Sequence, residues 1–420
     1  MAEESILADD FLRELIYTGE VDIVIGVPTF NDSKTVGQVL QAVRTGLLKY
    51  FPRQRAVILN ADGGSRDGTQ NLVRAAAISD SQRASDLHAL RTLHSISTQY
   101  PGGPSSGNAL YTIVAAAELL RAGVCAVVSP ESVTLQPEWV DRLLRPVLRN
   151  NVDLVTPVYC RHKFDGLLVR NLLYPVMRAL YCMPIREPYP PEFAFSAKLT
   201  SYLREQSFWS EEAGRVGPEM CLVVSAITGG FNVGQAALGP KCRVARPPAD
   251  LVLALRQTVG VLFWMLQKSL PQCARADGAP GLPEMIQNVS LDPIRVNRKR
   301  LHQMFVRGVS ELEPVLSSIL QPDTLVELKQ SATMPEEKFR YSDELWVKSV
   351  YEFAAAYHKS LISRDHIVQA LAPLYRGRAY TFLVENRDAD GEHVEQQVES
   401  LCRAFEQGKP YLLQIWDAGR

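Results

Sequence analysis

Short apolar runs and helix-like stripes alternate through the first 240 or so residues. Asp22–Pro28 (DIVIGVP) is β-branched and apolar on both faces, and a polar turn and a helical pattern from Ser33 to Leu47 follow it. Ala56–Asp62 (AVILNAD) repeats the arrangement, with a Gly-rich turn and a helix behind it. A weaker strand near Leu87–Ser95 leads into a helix from Gly107 to Arg121, and Cys125–Ser129 into a helix from Pro137 to Leu148; Asp153–Tyr159 is a fifth strand. Doubly apolar strands alternating with helices predict a mostly parallel sheet sandwiched by helices. Ligands in such folds bind beyond the carboxyl ends of the strands.

After about residue 245 the period changes. Leu251, Leu255, Val259, Leu262 and Leu266 share one helical face, as do Trp346, Val350, Phe353 and Tyr357. Both stripes read as core. Gln272–Pro283 reads as a loop. The expected division is residues 1–245, an α/β part, and 246–420, an α-helical subdomain.

Composition narrows the classes. The 420 residues are 46% hydrophobic, with 45 Lys plus Arg against 46 Asp plus Glu. That argues against disorder and against nucleic acid as a main partner. The seven cysteines form no CxxC pair, which fits free thiols in a reducing compartment. The acidic start, Met1-Ala2-Glu3-Glu4, is no signal segment, and Leu251–Gln267 is too short and interrupted to span a bilayer. A cytoplasmic location is expected.

Three turns carry the candidate chemistry. Asn60-Ala61-Asp62-Gly63-Gly64-Ser65-Arg66-Asp67-Gly68-Thr69 follows the second strand. Asp62 there can accept hydrogen bonds from a base or ribose, and paired glycines admit a ligand closely. Asp67 suits a helix cap, with Gln70 in capping-box position. Pro28-Thr29-Phe30-Asn31-Asp32-Ser33 is a strand-to-helix turn, and Pro101 to Leu110 is a Gly-rich loop opening a helix, a type that exposes N–H groups to phosphate. Neither GxxxxGKS nor GxGxxG is present.

Taken together, these pieces resemble GT-A glycosyltransferases of the family-two superfamily, and more closely retaining enzymes related to glucosyl-3-phosphoglycerate and glucosylglycerate synthases. The likeness continues through Tyr159–Gly166, Glu192–Ser196, Gly230–Lys241, Tyr351–His358 and Pro373–Arg378. It implies a GT-A-like fold and a UDP-, GDP- or ADP-hexose donor. Pro28, Thr29, Asn31, Asp62 and Gly63 would hold the nucleotide, with Gly107, Asn108, Ala109 and Glu131 completing the donor side. It implies transfer of a hexose to a small polar, glycerate-like acceptor, with Glu192 and Glu219 near sugar and acceptor hydroxyls. Arg161, His162 and Lys163, beside Asp165, match the acceptor side; a solvated loop is the other reading.

The sequence departs from the family at four places. Ser106 stands where a diphosphate lysine is usual, Ser129-Pro130-Glu131 where Asp-x-Asp binds metal, Pro190-Pro191-Glu192 where Gly-Gly-acid is usual, and Arg243 where a metal-binding histidine is usual. Mg2+ or Mn2+ belongs to the family, but one carboxylate beside a guanidinium makes a poor metal site, so no metal ligand is assigned. Two readings follow. Arg243, helped by Lys241, replaces the metal at the leaving diphosphate. Alternatively, catalysis is lost and Arg243 pairs with Glu131, leaving a binding or scaffold protein that dimerises through the helical tail. His358 and His366, eight apart on helical segments, carry no metal role.

Overall fold

A computed structural model of the chain describes residues 7–75, 93–149, 152–241, 250–273, 297–360 and 362–417. In chain order, α1 (Asp9–Thr18), β1 (Ile23–Thr29), α2 (Val36–Tyr50), β2 (Ala56–Asp62), α3 (Thr69–Arg74) and β3 (Leu93–Gln99) come first. Next are α4 (Ser106–Leu119), β4 (Val124–Val127), α5 (Pro137–Leu148), β5 (Leu154–Cys160) and α6 (Tyr174–Tyr181). Then follow β6 (Phe193–Ser196), α7 (Ala197–Arg204), α8 (Glu212–Val216), α9 (Pro218–Thr228) and β7 (Val233–Pro240). The remainder is helical: α10 (Leu251–Leu255), α11 (Val261–Cys273), α12 (Arg298–Glu311), α13 (Glu313–Ile319), α14 (Pro322–Ala332), α15 (Asp343–Lys359), α16 (Arg364–Glu385) and α17 (Gly391–Asp417).

Two compact units emerge. One comprises residues 1–159 and 189–245, the other 160–188 and 246–420. Residues 160–188, inside the sequence-predicted first part, thus group with the C-terminal helices.

The first unit is built on a sheet of order β3-β2-β1-β4-β6-β5-β7. Strands β1 to β4 are parallel, and β6 runs antiparallel between β4 and β5. Alternation along β1 sorts its side chains by face. Ile23, Ile25 and Val27 join Val39 and Val43 of α2 and Leu143 and Leu144 of α5 in one buried cluster. On the opposite face Gly26 meets α4: a Cβ built there would lie 2.4 Å from Ile113 Cγ2. The β1–β4 pairing ends at Gly26↔Val127, whereas β1–β2 pairing runs on to Thr29↔Asp62. The chain order reverses direction at β1, so a crevice opens at its carboxyl end, next to the turns singled out in the sequence.

In the second unit both predicted stripes are core, except that Leu251 at the start of the first is only partly buried. Leu255, Val259, Leu262 and Leu266 are buried along one helix that contains a π-helical turn at Arg256–Gly260, and Trp346, Val350, Phe353 and Tyr357 are buried on α15. The predicted loop overlaps α11 by two residues and otherwise lies outside the described residues. Residues 160–188 are tied in by ion pairs: Arg170 and Arg186 to Glu395, and Arg178 to Glu399 and Glu406. No described helix is long and apolar enough to cross a membrane.

Candidate functional site

The turns after β1 and β2 are stitched into one structure by a buried polar chain. Ser97 donates to Asn60 Oδ1 at 2.8 Å, Asn60 Nδ2 donates to the Thr29 hydroxyl at 2.8 Å, and Thr29 donates to Asp62 at 2.7 Å. Asp62 also accepts from the amides of Gly64 and Ser65, the Ser65 hydroxyl and the Gln70 amide group, at 2.7–2.9 Å. Burial alone would raise this carboxyl's pKa, but the donors around it, Thr29, Ser65 and Gln70, outweigh that and hold it below the usual aspartate value. Asp62 is fully buried and its acceptor sites are filled from within. It knits the turns after β1 and β2 together.

Asn31 holds the rim. Its φ of 58° is left-handed, a conformation asparagine tolerates better than most residues. Its amide donates to Ser65 Oγ at 2.8 Å and its side-chain oxygen accepts from the Arg66 amide at 3.0 Å. Asp67 differs from the expected cap. It accepts from Ser33 N and from Thr69, joining both turns, while Gln70 turns to Asp62. Phe30, half exposed, projects beside Gly63. Sequence reasoning gave Phe30 no role, although an exposed aromatic face is able to stack on a flat ring.

The third turn lies against the second. A Cβ at Gly63 would approach the Tyr100 hydroxyl at 2.8 Å and Pro104 Cα at 3.1 Å, so only glycine admits the loop this closely. Ser105 caps α4 by accepting from Asn108 N, and the Ala109 amide goes to Ser105 O. Ala109 is buried. The amides of Ser106 and Gly107 have no acceptor among the described residues, which leaves two donors at the positive end of a 14-residue helix. Gly107 is closely covered by α8: a Cβ there would sit 2.4 Å from Gly214 O. The Ser105 and Ser106 hydroxyls reach Arg215 O at 3.3 and 3.4 Å. Ser106 thus stands where a lysine is usual, and α8 brings the backbone of Arg215 to the same place. Nothing in the sequence spacing signalled that approach.

On the far side of the crevice, the Ser129 hydroxyl accepts from Glu131 N and closes its own turn. Glu192, fully buried, accepts hydrogen bonds from the hydroxyls of Ser132 and Tyr159, and Lys241 Nζ lies 2.9 Å from its Oε2. The ammonium also rests 4.4 Å from the centre of the Tyr159 ring. The sequence singled out both Glu192 and Lys241 but did not pair them. Arg243 lies outside the described residues.

Glu219, in the first turn of α9, is different. Burial pushes its pKa up to about 7, opposed by hydrogen bonds from its own amide and from the Tyr189 hydroxyl. Its Oε2 is buried without a hydrogen-bond partner among the described residues. Glu219 therefore changes protonation near neutrality and retains acceptor or donor capacity.

These residues do not fit a divalent ion. Among the described residues no group of three His, Cys, Asp or Glu side chains could hold one. Glu131 is the one carboxylate in its turn, and Glu192 already faces an ammonium.

The architecture is α/β, a seven-stranded sheet with helices followed by a C-terminal run of helices. Among solved structures, the chain resembles glucosyl-3-phosphoglycerate synthase from Mycobacterium tuberculosis in complex with phosphoglyceric acid, at 20% identity over 67% of this chain and 89% of that one, with a TM-score of 0.43. Similar values, 20%, 67% and 89% with a TM-score of 0.44, hold for that enzyme in complex with Mn2+, UDP-glucose and phosphoglyceric acid. At this level the likeness carries nothing about ligand or reaction. No family model matches the chain, and no curated protein does.

Proposed function

We propose that the chain is a glycosyltransferase that moves a hexose from a nucleotide-diphosphate sugar to a small polar acceptor without a divalent metal. The observation that carries this reading is the convergence of three cross-linked turns at the carboxyl end of β1 and β2, beside the two open amides of α4. The base would lie against Phe30, framed by Pro28, Thr29, Asn31 and Gly63, and the diphosphate at Ser106, Gly107 and Asn108. Charge developing on the leaving diphosphate would meet those amides and the cations Arg243 and Lys241, with Glu131 at the crevice edge.

Glu219 would touch the sugar hydroxyls, and Glu192 would keep Lys241 oriented. Positioning and leaving-group stabilisation then supply the rate, with no protein nucleophile required. UDP-glucose with phosphoglycerate, both named in the structures of the similar enzyme, is the first pair to test. In a transfer assay over UDP-, GDP- and ADP-glucose with EDTA present, product should form with one donor, and Arg243→Ala should lower kcat by about a hundredfold or more. Product formed only when Mg2+ or Mn2+ is added would overturn the metal-free reading.

One observation favours a second reading, a pocket that binds a sugar nucleotide without transferring it. Glu192 is neutralised by Lys241 and held by two hydroxyls. Under that reading the assay yields no product with any donor, while a sugar nucleotide still raises the melting temperature.

A further inference from the structure

The second unit contains a cavity that the proposed transfer does not use. It measures about 540 Å³, within the range of small-molecule sites, and lies between α12 and α16. The two helices approach so closely beside it that a Cβ on Gly308 would lie 2.2 Å from Pro373 Cβ. Met304, Leu312, Val315 and Pro373 give the cavity an apolar lining. Arg307, also in the lining, is neutralised by Glu311 at 2.6 Å. Arg376 is half-buried in the wall and forms no ion pair or hydrogen bond among the described residues. Burial and the charge of Arg300 both disfavour its protonated form, with Asp250 offsetting them in part. Arg378, two residues on, is by contrast fully engaged with Asp343, Asn171 and the Tyr341 carbonyl.

We infer that this cavity binds an amphiphilic anion, a carboxylate or phosphate carried on an apolar body, with the anionic group on Arg376. A desolvated guanidinium beside an apolar surface costs free energy that such a ligand would recover, whereas a neutral amphiphile would bury the same surface and leave Arg376 unpaired. His366 and Gln369, both exposed, stand at the rim.

The test uses the full chain with 8-anilinonaphthalene-1-sulfonate as the fluorescent probe, displaced by decanoate, decyl phosphate or decanol. The expected result is displacement by an anion at a concentration at least about tenfold below that needed for decanol. The two anionic arms decide between carboxylate and phosphate. Arg376→Met should erase the preference over decanol, and the rim variant Gln369→Trp should weaken all three while leaving the melting temperature unchanged. UDP should leave the bound probe in place. Equal potency of decanol and the anions, an unchanged preference in Arg376→Met, or displacement by UDP would overturn the inference.

Discussion

Two carboxylates, the buried Glu192 and the partly buried Glu219, show how environment separates residues that look alike in sequence. Glu192 sits with an ammonium and two hydroxyls. Removing the cation alone leaves a buried, uncompensated charge, so Lys241→Met should cost about 3–5 kcal/mol in urea denaturation, and adding Glu192→Gln should restore most of it. Glu219 has one hydroxyl partner and a raised pKa. Its folded value lies above its unfolded one, so its contribution is fully present below about 4.5 and is lost as pH rises through about 7. Glu219→Gln should flatten that decline, by on the order of 3 kcal/mol, when denaturation is followed from pH 5 to 8. The acidic positions were legible in the sequence. Their different partners were not, because Tyr159, Ser132, Lys241 and Tyr189 meet them only through the fold.

At the level of elements, strong patterns gave accurate boundaries. β2 and α5 occur at Ala56–Asp62 and Pro137–Leu148 as predicted, the helix with Pro137 in its first turn. β6 was not legible: four residues, Phe193–Ser196, are too short to display a period, and their antiparallel place between β4 and β5 is set by pairing alone. The contact of α4 with β1 depends on Gly26, one strand position facing Ile113. Gly26→Ala should cost about 1–3 kcal/mol through overpacking and shift the α4 amides at the crevice. Ile113→Val in the same chain should recover part of the loss, read as paired changes in stability and nucleotide affinity.

Across the molecule, the near-zero net charge hides long-range ion pairs. Arg170, Arg178 and Arg186 reach Glu395, Glu399 and Glu406, more than 200 positions away, so residues 160–188 join the helical unit although their sequence neighbours build the sheet. Periodicity reports local faces and cannot register such pairings, which is why a single boundary near 245 was the natural sequence reading. The turns that meet at the ends of β1 and β2 were legible, because Gly, Asn, Asp and Ser cluster where strands end. The internal use of Asp62 and Ala109 was not.

Calorimetric titration of the full chain with UDP-, GDP- and ADP-glucose in EDTA addresses the central claim most directly. Saturable binding of one donor, weakened about tenfold by Phe30→Ala through loss of base stacking and unchanged by added Mg2+ or Mn2+, is the predicted result. Absence of binding to all three donors, or binding that appears only with the metal, would contradict it.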